Sequence, residues 1–561
     1  MNYKLDKVKA QKLTDAFQKD HFTVKMTVTP FENAVGMMAE HQTAINYDTK
    51  QHKKAYYLEG SPYQMGYMMG LLAEPEITRM VRDFANLIVF SFFNHDKVSN
   101  KNWVARALGA LVNEIIEDIA NDQHLTLPKE LMEEIKGILD GCKAANPSSK
   151  IREDRLWVLN VGVDILLALI YSGEIQKKAP WITSDMIRVP VMCNAFAMFG
   201  EAAGGNYYMG RDFMFPTAGV FQDVACMIIY KPTDSTKKPH ISMTAPGMVG
   251  SIVALNSMNV AVGCDMAPSG NCTPYQTGIN SLPMNRFITQ NARSAADAVE
   301  TMEEQVRGTS WNHIIADGAS DRACIVETGS SSADNNFFNY PPKDLFTNKI
   351  LPNKTFFKEH SSGTPKKGLM VRWNDYQYPE GYLYYNRGLW KYFNQRHPLD
   401  QKELHADAMR ERGYINKWEE KNCPHNYYFA PQRESRKDFV MVINHFIIPE
   451  MRLFAMKQWT SIIAEGNADD IQWRYDELNY RCLKAIDSKP VTYNRAKKLI
   501  DFLSPDGDFP TYYANSPKSA DGKRTRIEGS ISLLDMKKCS MDSYYGYYGD
   551  EWVKLTLPNY L

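Results

Sequence analysis

The sequence predicts an α+β protein, with helices and antiparallel strands in separate stretches of chain. Three observations predict it. Residues from Ile77 to Cys142 repeat apolar side chains at three- and four-residue spacing. From Ile187 the character changes to short apolar or alternating runs divided by turn residues. Those runs follow one another with little helix between them, which suits sheets of consecutive antiparallel strands.

The helical part reads in order as ITRMVRDFANLIVFSFF, WVARALGALVNEIIEDIA and KELMEEIKGILDGCKAA. The loop NPSSK, with breakers Asn146 and Pro147, ends this series, and another helix runs from Arg152 to about Ile170. Gly66 and Gly70 stand four apart, a spacing that suggests close helix packing. Residues 1–192 are thus expected to form a mainly helical segment, and 193–561 the portion that carries the chemistry.

In the second portion IRVPVMCNAFAMFG, NYYMGRDFMF and VACMIIYKP read as successive strands, with Gly204-Gly205-Asn206 as a hairpin turn. HISMTAP, GSIVALNSMNVAVGCDM and HIIADGASDRACIVETG are also strand-like, and ARSAADAVETMEEQV is an amphipathic helix. After Pro352 the pattern weakens. RKDFVMVINHFIIPEMRLFAMKQW fits strand or helix, and VTYNRAKKLIDFLS fits a helix.

Lys+Arg and Asp+Glu both total 65, so no basic excess points to nucleic acid and no polybasic run to a membrane surface. The charged N-terminus lacks the apolar core of a secretory signal. The most apolar run, VLNVGVDILLALIYSG from Val158, is interrupted by Asn160 and Asp164 and reads as too short to span a membrane. A soluble, cytoplasmic protein acting on a small molecule is expected, its oligomeric state left open. Nine cysteines without a CxxC pair argue against a zinc ribbon or a disulfide framework. No histidine cluster has metal spacing, and no Gly-rich phosphate loop is present. No cofactor is expected.

One cysteine stands apart. Cys193 opens a strand–turn–strand unit directly after the helical region. Its return strand delivers an adjacent Arg211 and Asp212 inside an apolar hairpin, and buried charges need partners. A plain buried strand cysteine is the alternative. A cysteine at a chain terminus can use its own α-amino group, pKa about 8, as the base. For Cys193 that requires cutting the Met192–Cys193 bond, which the thiol can do by attacking the preceding carbonyl to give an ester that water opens. His313, ahead of Asp317, offers a Cys–His–Asp arrangement without self-cleavage. A hydrogen-bonded core histidine is the reading set against it.

Here the chain resembles the penicillin acyltransferases (acyl-CoA:6-aminopenicillanic acid acyltransferases), N-terminal-nucleophile hydrolases related to the choloylglycine hydrolases. YYLEGSPYQMGYMMGLL from Tyr56 is similar to the family's opening Gly/Pro segment, and EDRLWVLNVGVDILL to the stretch before the cleavage site. CNAFAMFGEAAGGNYYMGRDF is similar to the segment headed by the nucleophile. GMVGSIVALNSMNVAVGCDM, NHIIADGASDRACIVETG and DLFTNKI resemble later family segments. The resemblance implies a four-layer αββα sandwich and attack of Cys193 on a linear N-acyl amide, through a thioester, with release to water or an amine. It implies Arg211 beside the thiol and Asn348, in LFTNKI, as oxyanion donor. Asp212 stands where the family has asparagine, and Met214 where it has aspartate, so the acid is expected to have moved by two residues, to the same side of the strand. Asp265 stands where an asparagine is usual near the oxyanion. Ionised, it cannot donate, which leaves Asn256 or the backbone as donor. Arg387, in YYNRGLW, matches a later arginine. A non-catalytic binding protein on the same scaffold is the third reading.

Overall fold

The structure is a computed structural model. It describes residues 3–92, 102–123, 127–182, 193–214, 220–276, 278–279, 281–332, 343–344, 349–350, 360–379, 435–452, 469–502 and 518–561. Its strands are β1 Phe22–Val28, β2 Val35–Ile45, β3 His52–Gly60, β4 Asn194–Met198, β5 Tyr208–Met214, β6 Cys226–Pro232, β7 His240–Thr244, β8 Val253–Asn256 and β9 Val260–Met266. They continue with β10 Trp311–Asp317, β11 Arg322–Thr328, the short β12 Lys343–Asp344 and β13 Lys349–Ile350, β14 Leu369–Trp373, β15 Phe439–Ile443, β16 Arg526–Asp535, β17 Ser540–Tyr547 and β18 Val553–Thr556. The main helices are α1 Lys7–Lys19, α2 Pro62–Phe92, α3 Asn102–Gln123, α4 Lys129–Ala145, α5 Glu153–Ser172, α6 Ser281–Asn291, α7 Ala295–Glu304, α8 Asp469–Ser488 and α9 Tyr493–Ile500.

Among the described residues a ten-stranded sheet runs in the order β1-β2-β3-β6-β7-β8-β9-β10-β11-β14, and a six-stranded sheet in the order β15-β4-β5-β16-β17-β18. The sheets face one another where β5 meets β9 and β10 meets β4 and β15. Helices α2 and α6 cover the outside of the larger sheet, and α8 and α9 the outside of the smaller. This is the expected α+β, four-layer αββα order. The β4–β5 hairpin forms as read from the sequence, with Gly204 and Gly205 at φ 59° and 81° in its turn. The undecided run is a strand and then a short helix: β15 pairs antiparallel with β4, Asn444 follows it, and Pro449–Arg452 is helical.

Two readings change. Residues 1–192 are helix-rich, yet β1, β2 and β3 belong to the larger sheet, and β3 lies parallel to β6. Position 193 divides the sequence without dividing the fold. The apolar run around Val158 is also longer than it read: α5 has the length and composition of a membrane-crossing helix. Most of it is buried inside the protein as core, and Asn160 adds a polar tether. The Asn160 amide donates to the Gly247 carbonyl at 3.0 Å, and its Oδ1 accepts from the Val249 N–H at 2.7 Å.

The glycine spacing is explained by α2 against α4. A Cβ on Gly66 would stand 2.0 Å from the Glu134 carbonyl oxygen, and one on Gly141 2.1 Å from that of Tyr67. The two backbones touch along this stripe, which sets how α4 packs on α2.

Candidate active site

Alternation along β4 and β5 sorts the hairpin's side chains onto two faces. Arg211 points into the space between the sheets. Its aliphatic stem passes over Gly263 of β9, where a Cβ would sit 3.0 Å from the arginine Cδ. Asp212 faces the helices. Its Oδ2 accepts from the Asn194 amide at 3.2 Å across the β4–β5 pair.

Cys193 immediately precedes β4 and is 1% exposed. Its thiol lies 3.8 Å from the Met214 carbonyl oxygen. Burial pushes the thiol pKa up; Arg211 pulls it down and Asp265 opposes that pull. Arg211 and Asp265 form an ion pair at 2.8 Å with both side chains fully buried. The guanidinium also donates to the carbonyls of Asn194, Asp212 and Cys264, which ties the two sheets together at the nucleophile. Burial raises Asp265 to about 6 in spite of Arg211. Asp265 is thus the counter-ion of the arginine.

Two residues that sequence reasoning missed complete the site. The backbone N–H of Cys193 donates to Asn444 Oδ1 at 2.8 Å. Arg474 of α8, fully buried, donates to the same oxygen at 3.2 Å. It also donates to the Cys193 carbonyl at 3.1 Å and to Asn194 Oδ1 at 3.1 Å. Asn444 is itself held from the other sheet. Its amide donates to the Met266 carbonyl at 2.9 Å. Asn312 of β10 donates to the carbonyls on either side of it, Ile443 at 2.8 Å and His445 at 2.9 Å. The signal for Asn444 was the polar pair Asn-His inside the apolar run FVMVINHFIIP.

The remaining expected residues fall elsewhere. Asn256 is spent elsewhere: its amide donates to the Thr289 and Ala292 carbonyls at the end of α6, and its Oδ1 accepts from Met258 and Val260 in the turn after β8. It is not brought to Cys193. His313 shares β10 with Asn312 but points to the opposite face, where its Nδ1 meets Asn285 Oδ1 at 3.1 Å. Burial, with Arg307 and Arg211 in support, pushes its pKa down to about 3. Among the described residues no hydrogen bond joins Asp212 to Cys193; the path between them runs through Asn194 and Arg474. Burial drives Asp212 strongly upward against the pull of Arg211. Asn348 and Arg387 lie outside the described residues. Among those described, no group of His, Cys, Asp and Glu could hold a metal ion.

This arrangement presents a buried thiol beside a paired arginine, and a backbone nitrogen cradled by an asparagine. Comparison with known proteins supports the family reading. The family model of the acyl-coenzyme A:6-aminopenicillanic acid acyl-transferases matches residues 220–356. An uncharacterized protein of Archaeoglobus fulgidus is 26% identical over 509 residues, covering 90% of this chain. The chain spans 66% of that relative's length. A crystal structure of a mutant conjugated bile acid hydrolase from Clostridium perfringens aligns with TM-score 0.31 and 9% identity, over 65% of this chain and 92% of that one. So slight a likeness carries no weight; the layer order rests on the strand pairing itself.

Proposed function

We propose that this chain, similar to the acyl-coenzyme A:6-aminopenicillanic acid acyl-transferases over residues 220–356, is a self-cleaving amidase or acyltransferase with Cys193 as nucleophile. The observation that carries the reading is the hydrogen bond from the Cys193 backbone nitrogen to Asn444 Oδ1 at 2.8 Å. An ordinary strand cysteine has no need of a buried asparagine and a buried arginine at its backbone. A residue whose nitrogen becomes the catalytic base does.

Processing begins when the thiol adds to the Met192 carbonyl. The C–N bond breaks, the nitrogen leaves as the α-amine of Cys193, and water opens the thioester to a Met192 carboxylate. In turnover the amine takes the thiol proton and the thiolate adds to the N-acyl carbonyl carbon. The carbonyl electrons move to oxygen. An amide nitrogen has two N–H donors, and Asn444 engages the Met266 carbonyl, which leaves its second for the oxyanion. Collapse expels the substrate's amine with the proton held by Cys193. Water or another amine then releases the acyl group and restores the thiol. Arg211, paired with Asp265, supplies the positive field that favours thiolate.

The test is the state of the purified protein. On a denaturing gel two pieces are expected, of 192 and 561 − 192 = 369 residues, the second beginning at Cys193. Cys193→Ala should stay whole and inactive on N-acyl substrates. An active, uncut chain would remove the self-cleavage reading, and turnover by Cys193→Ala would remove the nucleophile.

A further inference from the structure

We propose that the apolar cavity against α5 receives the acyl half of the substrate, and that Asp164 on its wall selects acyl groups carrying a hydroxyl or ammonium donor. This rests on the amidase reading above and names its substrate class.

The cavity offers about 80 Å³, room for several water molecules and so for an extended acyl chain. Met80, Leu159, Val163, Phe221, Met248 and Leu282 give it apolar walls. It adjoins the nucleophile through β5: Phe213 lines it from the Arg211 face, and the next residue's carbonyl, of Met214, is the one 3.8 Å from the Cys193 thiol.

Within these walls stands the buried carboxyl of Asp164. Its Oδ2 accepts from the Ser281 hydroxyl at 3.0 Å, and Oδ1 from the Trp311 indole N–H at 2.9 Å. A carboxylate offers about four acceptor positions, so two donors leave capacity unspent. Burial raises its pKa to about 7, and the two donors only partly offset that. A neutral amide would tether Ser281 and Trp311 without that cost. An acceptor with spare capacity in an apolar acyl pocket discriminates, because only an acyl group that carries a donor fills its remaining positions.

The experiment uses processed enzyme and the p-nitroanilides of octanoic acid and ω-hydroxyoctanoic acid, with calorimetry of the two free acids. Wild type should prefer the hydroxylated anilide in kcat/KM by roughly tenfold or more, the size of a hydrogen bond to a charged group. Asp164→Leu should abolish or invert that preference, read as the ratio of kcat/KM for the two anilides. Asp164→Asn, nearly isosteric, should shrink it and serves if the leucine variant does not fold. Val163→Phe should weaken binding of both acids by filling the cavity. Equal use of both anilides by wild type, an unchanged preference in the Asp164 variants, or unaffected acid binding in Val163→Phe would overturn the proposal. If no anilide is cleaved at all, the amidase reading fails. Calorimetry then still decides the cavity, by whether wild type binds the hydroxylated acid more tightly and Val163→Phe does not.

Discussion

Asp164 should leave a mark on stability that needs no substrate. Its folded pKa of about 7 stands some three units above the ~3.9 of an unfolded aspartate. Between those values the folded protein binds a proton that the unfolded chain has released. Stability therefore falls as pH rises through this window and levels off above about 7. Each unit corresponds to about 1.4 kcal/mol, so from pH 5 to pH 8 this one carboxyl should cost about 3 kcal/mol, as an order of magnitude.

Asp164→Asn removes the ionisation and keeps the size. Urea unfolding of this variant and of its aspartate parent should be followed across that range, both in the Cys193→Ala background so that cleavage does not change the species. Other titrating groups cancel in the difference. The asparagine variant should gain on its parent as pH rises, by about 3 kcal/mol over the series. Two parallel curves would mean that Ser281 and Trp311 hold the carboxylate at an ordinary pKa, and the account of Asp164 as a desolvated acid would be wrong.

Other outcomes follow from the site. Asn444→Ala removes the partner of the Cys193 nitrogen and the assigned oxyanion donor; kcat in processed enzyme should fall about 10²–10³-fold, and undiminished turnover would place the donor elsewhere. His313→Gln should keep self-cleavage and most of its activity, since that ring faces Asn285 on the far side of β10. Loss of chemistry in a folded His313→Gln protein would revive the Cys–His mechanism.

The hairpin, its glycine turn and the sidedness of Arg211 and Asp212 were legible because strand alternation is local. The glycine stripe of α2 was legible for the same reason, since spacing alone places Gly66 and Gly70 on one face. Asn444 and Arg474 were not. They lie 251 and 281 residues from Cys193, and only sheet pairing of β15 with β4, and α8 packed outside, brings them there. Asn256 misled because an asparagine ending a strand has other uses: its Oδ1 holds the following turn and its amide holds the end of α6. The early strands were missed because the helices that follow them dominate the first 192 residues.

Arg474 sets the sign of the charge beside the Cys193 amine. Had Asp212 held the Cys193 amine, the carboxylate would have favoured the ammonium form and made the base available only at higher pH. In the structure the charged group bonded to the Cys193 carbonyl, at 3.1 Å, is the guanidinium of Arg474. Asp212 stands behind Asn194 and is itself pushed toward its neutral form by burial. A cation beside the amine disfavours protonation, so the base is free at lower pH than an isolated terminus would allow. Arg474→Gln keeps a donor for the Cys193 carbonyl and removes the charge. On the proposed reading it should move the acid limb of kcat/KM against pH upward, by on the order of one unit for a lost like charge at such range. The limb's position is read from the free enzyme, so a change in substrate affinity alone cannot imitate it. A processed, folded Arg474→Gln protein with lower activity and an unmoved limb would show that Arg474 only positions Cys193.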